Sequence, residues 1–199
     1  PRCFEIEKRL QEKMRIPVMH DDQHGTAIVI LAAVLNALKV VQKRLEDVRI
    51  VLNGAGAAGV AIAKLLKVAG MRSFVAVDRT GAIYPSREGL NQEKQWLADM
   101  ATDVQPGQSL ADVVKGADIL IGVSVAGAFT KEMVQTMASN PIILAIANPV
   151  PEILPEVAQA AGVAVLGTGR SDFPNQVNNA LCYPGLFRGM LDHNVKQVT

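Results

Sequence analysis

The sequence predicts an α/β fold, a doubly wound and mostly parallel sheet with helices on both faces and a helical extension at the N-terminus. Three observations carry this. From residue 48 onward, short apolar β-branched runs alternate with helical patterns, as in a parallel sheet built from crossover units. A glycine-rich turn joins the first of those strands to its helix. Glycines and polar residues gather at the carboxyl ends of the strands while strand interiors stay apolar, which marks one edge as the functional one.

Taken in order, "CFEIEKRLQEKM" (3–14) sets Phe4, Ile6, Leu10 and Met14 among charges and suits a short amphipathic helix. Pro17 then disfavours the helical state for Ile16, so "RIPVMHDD" reads as extended. A long, mostly apolar helix follows from Thr26 to about Leu45, with burial expected on more than one face. "VRIVLN" (48–53) reads as a buried parallel strand, and the helical 58–70 segment closes at Gly70. "SFVAVD" (73–78) is the next strand. Helical segments "QEKQWLADM" and "LADVVKG" precede the strand "ADILIGVS" (117–124). Helical "KEMVQTMA" separates it from the strand "PIILAIAN" (141–148). "EILPEVAQAAG" is helical, "VAVLG" (163–167) is a short strand, and the tail from Phe173 holds a helix with irregular flanks. No linker rich in Gly, Ser or Pro divides the chain. One main domain is therefore expected.

Composition narrows the function classes. The chain has 199 residues, of which 49% are hydrophobic, and a net charge of +1. A core of useful size is expected, and no basic stripe or acidic tail points to nucleic acid. Cys3 and Cys182 stand near opposite ends without a C-x-x-C pair and read as free thiols in a reducing compartment. The start lacks the apolar core of a signal peptide. The run 27–41, interrupted by Asn36 and Lys39, is too short to span a bilayer. A soluble cytoplasmic protein with no membrane partner is expected.

The glycine turn is Gly54, Ala55, Gly56, Ala57, Ala58, Gly59. In such a turn the first glycine makes the bend and the second lets the backbone approach a pyrophosphate. The third allows close helix–strand packing, and the helix N-terminus supplies N–H donors and positive dipole. A strand before, a helix after and an acid, Asp78, ending the next strand complete the context of a Rossmann-type dinucleotide site. Asp78 suits the ribose hydroxyls of NAD, whereas Arg79 beside it suits the 2′-phosphate of NADP, and the choice stays open. Asn148 ends a strand before Pro149; it is either a fixed amide for a polar substrate group or the start of a turn.

Four motifs, "IPVMHDDQHGTAIV", "NGAGAAGVAIAKLL", "ANPVPEI" and "GRSDFPNQVNNALCYPGLFRG", occur in that order and span most of the chain. Together they strongly resemble the malic enzymes, particularly the bacterial type. The resemblance implies oxidative decarboxylation of (S)-malate to pyruvate and CO2 with NAD or NADP and a divalent Mg2+ or Mn2+. It places Asp22 as a metal ligand and Asp21 as the aspartate that orients a catalytic lysine. Asn148 and Asn179 match amides that contact malate. Gly54 to Gly59 and Asp78 match the cofactor turn and the ribose acid. A hard cation takes oxygen ligands, and one carboxylate does not hold Mg2+ without partners.

The departures from the family pattern concern what lies outside the chain. The Glu-Asp pair that supplies two further metal ligands falls upstream of Pro1, and the catalytic tyrosine and lysine belong to an absent N-terminal domain. The resemblance thus implies a cofactor-binding fragment, with 1–25 left over from the boundary with that missing domain and 26–199 as the NAD(P)-binding domain, inactive or nearly so by itself, whose full-length form is a homo-oligomer. A stand-alone, non-catalytic dinucleotide-binding module is the competing class, and another two-domain oxidoreductase a third. His20 and His24, four residues apart, invite a zinc reading, but Pro17 and Gly25 argue against a regular helix there and structural zinc wants four ligands. The alternative has them flanking and hydrogen-bonding the acidic pair or lining the domain boundary.

Overall fold

The computed structural model describes residues 2–195. Helix α1 spans Arg2–Lys13 and an extended segment leads to helix α2, Asp21–Val41. Strand β1 (Arg49–Asn53), helix α3 (Ala57–Val68) and strand β2 (Ser73–Asp78) follow, with a two-residue strand β3 at Gly81–Ala82. Helices α4 (Gln92–Asp99) and α5 (Leu110–Val113) precede β4 (Ile119–Gly122), helix α6 (Lys131–Gln135) and β5 (Ile142–Ala145). Helix α7 (Pro155–Ala160), β6 (Val165–Thr168), a 3-10 turn at Asn179–Cys182 and helix α8 (Tyr183–His193) complete the order.

The six strands form one sheet in the order β3-β2-β1-β4-β5-β6. Every pairing is parallel except β2 with β3. The strand interiors explain why both faces are covered. Ile50 and Leu52 point into one core cluster and Val51 into the other; Ile119 and Ile121 oppose Leu120, and Ile142 and Leu144 oppose Ile143 in the same way. This is the period-2 alternation of a sheet buried on both sides. Helices α2, α3 and α4 cover the first face, and α5, α6 and α7 cover the second.

Three differences from the sequence reading have local causes. Strand β3 was not foreseen, because two residues carry no periodicity; Gly81 at φ +111° closes a tight hairpin that pairs Asp78 with Gly81. Helix α2 begins at Asp21 rather than Thr26 and so runs across the expected division at 25/26. Gly25 does not break it. A Cβ at Gly25 would lie 2.1 Å from Asp21 Oδ1, so the glycine makes room for that carboxylate one turn earlier. With 21 residues, α2 is also long and apolar enough by length and composition to cross a membrane, unlike the 27–41 run considered alone. Here it is packed against the sheet, burying Ala27, Ile30, Val34 and Leu38 among others.

Helix α1 is tied to the start of α2 by one carboxylate. Glu7 accepts from the backbone N–H of His20 (2.7 Å) and from Gln23 Nε2 (3.0 Å), and it pairs with His24 Nε2 (2.7 Å). The side-chain hydrogen bond of His24 therefore goes to Glu7, not to the acidic pair. Among the described residues no group of three or more His, Cys, Asp or Glu could hold a metal ion.

Candidate functional site

The strand order reverses between β1 and β4, because β1 leads by α3 to β2 on one side and β4 lies on the other. Ligands of such sheets sit in the crevice beyond the carboxyl ends of the strands at that point. Two connected clefts occupy this crevice, with Gly56 and Ser124 lining both. The larger, of about 770 Å³, runs from the glycine turn past Asp78, Arg79 and Lys94. The smaller, of about 380 Å³, is walled by Asp22, Gly56 to Gly59, Asn148, Asn178 and Asn179.

The glycine turn is built as its chemistry demands. Gly54 sits at φ +125°, and a Cβ there would meet the Val123 carbonyl oxygen at 2.6 Å. A Cβ on Gly59 would stand 1.9 Å from the Gly54 carbonyl oxygen, so the turn and α3 close on each other. Gly56 caps α3 and has nothing within 4 Å of its Cβ position, which leaves an open approach to the first N–H groups of the helix. The cradle fits a dinucleotide pyrophosphate: tight where the backbone must pack, empty where a phosphate would lie.

The acidic pair divides its work. Asp22 is exposed and lines the smaller cleft. Asp21 is half-buried: its Oδ2 accepts from the Asn179 amide, while its Oδ1 is buried without a hydrogen-bond partner. Tyr183 lies beside it, and the neighbouring Asp21 carboxylate, together with burial, pushes the phenol up to about 12. Asn179 is also engaged through Oδ1, which accepts the Ala180 N–H at 3.1 Å. Asn148 is exposed in the loop three residues beyond the end of β5, not at the strand's last position, and is joined to Pro149 by a cis peptide; its amide donates only to the nearby backbone, Ile146 O at 3.4 Å. Of the other asparagines, Asn178 caps the 3-10 turn and lines the cleft, and Asn175 donates to Leu166 O at 2.9 Å.

Glu152 was missed, although it ends the "NPVPE" stretch. Fully buried, it accepts from the N–H groups of Ser124 (2.8 Å) and Ala147 (2.9 Å), which ties the loops after β4 and β5 together. Asn53 Nδ2 donates to Ser124 Oγ at 2.8 Å, extending this brace to the end of β1. A Cβ on Gly122 would meet the Glu152 carboxyl carbon at 2.4 Å, so the glycine ending β4 makes the burial of that acid possible. Burial raises the Glu152 carboxyl above its ordinary value, and the backbone hydrogen bonds oppose the rise without cancelling it. A glutamate seven residues past the end of β5 gives no periodic signal; only its place in "NPVPE" could have drawn notice.

The family described as the NAD-binding domain of malic enzyme matches residues 23–199. The chain belongs to the malic enzyme family. It is 58% identical over 193 residues to the bifunctional malic/malolactic enzyme of Bacillus subtilis (strain 168), covering 96% of this chain and 47% of that protein. It is 50% identical to the NADP-dependent malic enzyme of Haemophilus influenzae, over 96% of this chain and 26% of that protein. The crystal structure of the NAD-dependent malic enzyme of Thermotoga maritima superimposes with a TM-score of 0.94 at 45% identity, covering 100% of this chain and 53% of that one. The chain thus spans about half, or less, of the malic enzymes it matches, and what it matches is their cofactor domain.

Proposed function

We propose that this chain is the dinucleotide-binding part of an enzyme that oxidatively decarboxylates (S)-malate to pyruvate and CO2 with NAD(P)+. One observation carries the reading: the cleft at the sheet's carboxyl edge joins the glycine cradle to Asp22, Asn148 and Asn179, which lie far apart in sequence. NAD(P)+ bound there supplies the hydride acceptor. The chain's own residues bind and orient: Gly56 and the N-terminus of α3 hold the pyrophosphate, and Asn148 presents an amide to a substrate carboxylate. Asp21, with one oxygen held by Asn179 and the other buried and unpartnered, is placed to receive a lysine ammonium from an accompanying catalytic domain.

Asp22 by itself does not make a metal site, and no set of three candidate ligands exists among the described residues. In this reading it is one oxygen ligand of a Mg2+ or Mn2+ whose other protein ligands come from outside this chain. Apolar side chains exposed on α1 and α8, Ile6, Leu10, Phe187 and Leu191, fit an enzyme in which a further domain or copy covers them.

The test is pyruvate release from malate by the full-length enzyme with Mn2+ and NAD(P)+, which is expected. Asp22→Asn is expected to weaken the metal requirement's half-saturation by about tenfold or more, since each lost charged ligand counts heavily at a hard cation. No pyruvate from the parent enzyme, or an unchanged metal dependence in the variant, would overturn the respective assignment.

A further inference from the structure

The stretch "GRSD" (169–172) follows β6 and takes no part in the glycine cradle, yet it reaches both asparagine-bearing arms of the smaller cleft. On one side, Asn178 Nδ2 donates to the Gly169 carbonyl at 3.2 Å. On the other, Gly169 is buried against Asn148: a Cβ there would stand 3.0 Å from Asn148 Nδ2 and 3.1 Å from Ile146 O. Arg170 Nη1 then crosses to the loop after β5 and donates to the Pro149 carbonyl at 3.0 Å. The guanidinium is itself fixed. Its Nε and Nη2 donate to the two carboxylate oxygens of Asp172 at 2.8 and 2.6 Å, and it lies 4.9 Å from the centroid of the Phe173 ring.

Asn148 is held through its neighbours rather than by its own side chain. Its amide makes one long contact, to Ile146 O at 3.4 Å, so the backbone sets the direction in which it points. That backbone is pinned on both sides. The Ala147 N–H donates to Glu152 Oε2 at 2.9 Å, and the Pro149 carbonyl accepts from Arg170. Asn148, Pro149 and Val150 are all exposed, so packing does little to fix this part of the loop. A planar fork can grip Asp172 along one edge and still spare Nη1 for Pro149, which a lysine ammonium cannot do in the same geometry.

We propose that Arg170 is a positioning residue for the substrate end of the cleft: through the Pro149 carbonyl it fixes the direction of the Asn148 amide, while Asp172 and Phe173 fix Arg170. This role rests on the reading above that Asn148 meets a substrate carboxylate. Arg170 acts through the loop, since it is not among the residues that wall the smaller cleft. Misplacing a positioning group by about 1 Å costs on the order of a hundredfold in rate, so a hold at the adjacent peptide is enough to matter.

Steady-state kinetics of the full-length enzyme with Mn2+, varying malate and NAD(P)+ in turn, test it. Arg170→Gln is expected to lower kcat/KM for malate by about tenfold or more. The KM for the dinucleotide should stay within about twofold of the parent, a change no larger than the usual scatter between independent sites. Asn148→Ala should show the same split. Adding Arg170→Gln to Asn148→Ala should then cost less than about twofold more, because no amide is left to aim. Asp172→Asn, which loosens the guanidinium without removing it, should repeat the pattern at smaller size and serves if Arg170→Gln does not fold. Unchanged malate kinetics in the Arg170 and Asp172 variants, equal damage to malate and dinucleotide saturation, or full additivity in the double variant would overturn the positioning role and leave Asn148 as a substrate contact. Unchanged malate kinetics in Asn148→Ala would overturn the Asn148 reading and the role of Arg170 with it.

Discussion

Glu152 and Asp78 are the two carboxylates on which the crevice depends, and their surroundings push them in opposite directions. Glu152 is buried with two backbone N–H donors. Glu152→Ala strands both donors, each at about 1–3 kcal/mol when left buried and unpaired. Urea unfolding is expected to show that loss, and Glu152→Gln, which keeps a carbonyl acceptor, a smaller one. Asp78 is depressed from its ordinary 3.8 by Lys94, Arg87 and Thr80 against the opposing effect of burial. A depressed folded-state value means the folded protein gains stability from the ionised form. That gain is fully present above the unfolded value and is lost as pH falls through the folded one. Unfolding followed from neutral pH down into the acid range should therefore show a steeper loss in the parent protein than in Asp78→Asn. Equal slopes would mean that the ion pairs at Asp78 contribute nothing to the fold.

The strand–turn–helix unit β1–α3 separates packing from binding glycine by glycine. Gly59 faces a backbone oxygen at 1.9 Å from its Cβ position, and backbone cannot step aside cheaply. Gly59→Ala is expected to destabilise the protein by about 1–3 kcal/mol and to distort the turn. Gly56 has φ −86° and open space around its Cβ position. Gly56→Ala should then leave unfolding within about 0.5 kcal/mol of the parent. Its methyl group occupies the approach to the N-terminus of α3, so dinucleotide affinity should fall by about tenfold or more, a loss of at least ~1.4 kcal/mol. Thermal unfolding and calorimetry on the same two variants read the two effects apart. Helix α2 shows the same economy at Gly25, where the missing side chain admits the Asp21 carboxylate and joins the first turn to Asn179.

For the molecule as a whole, binding and folding are linked. A dinucleotide that binds only the folded crevice, supplied at a hundred times its dissociation constant, should raise the unfolding free energy by about 2.7 kcal/mol. Urea titration with and without ligand measures it, and Gly56→Ala should show little of the gain at the same concentration. Much of the architecture was legible beforehand because its causes are local. Side-chain alternation marks the five longer strands, from "VRIVLN" to "VAVLG", and the clash at Gly59 is a matter of neighbours along one turn. The two-residue β3, the true start of α2 and the brace at Glu152 were not legible, since none leaves a periodic trace. The amino-acid sequence by itself determined the doubly covered parallel sheet, the glycine cradle and, through four long motifs, the malic enzyme family. Only the tertiary structure decided that Asn179 meets Asp21 across 158 positions, that Glu152 ties β4 to β5, and that Lys94 and Arg87 saturate Asp78. The physical reason is that a polar group's partners are chosen by where burial places it, and burial depends on the packing of distant segments.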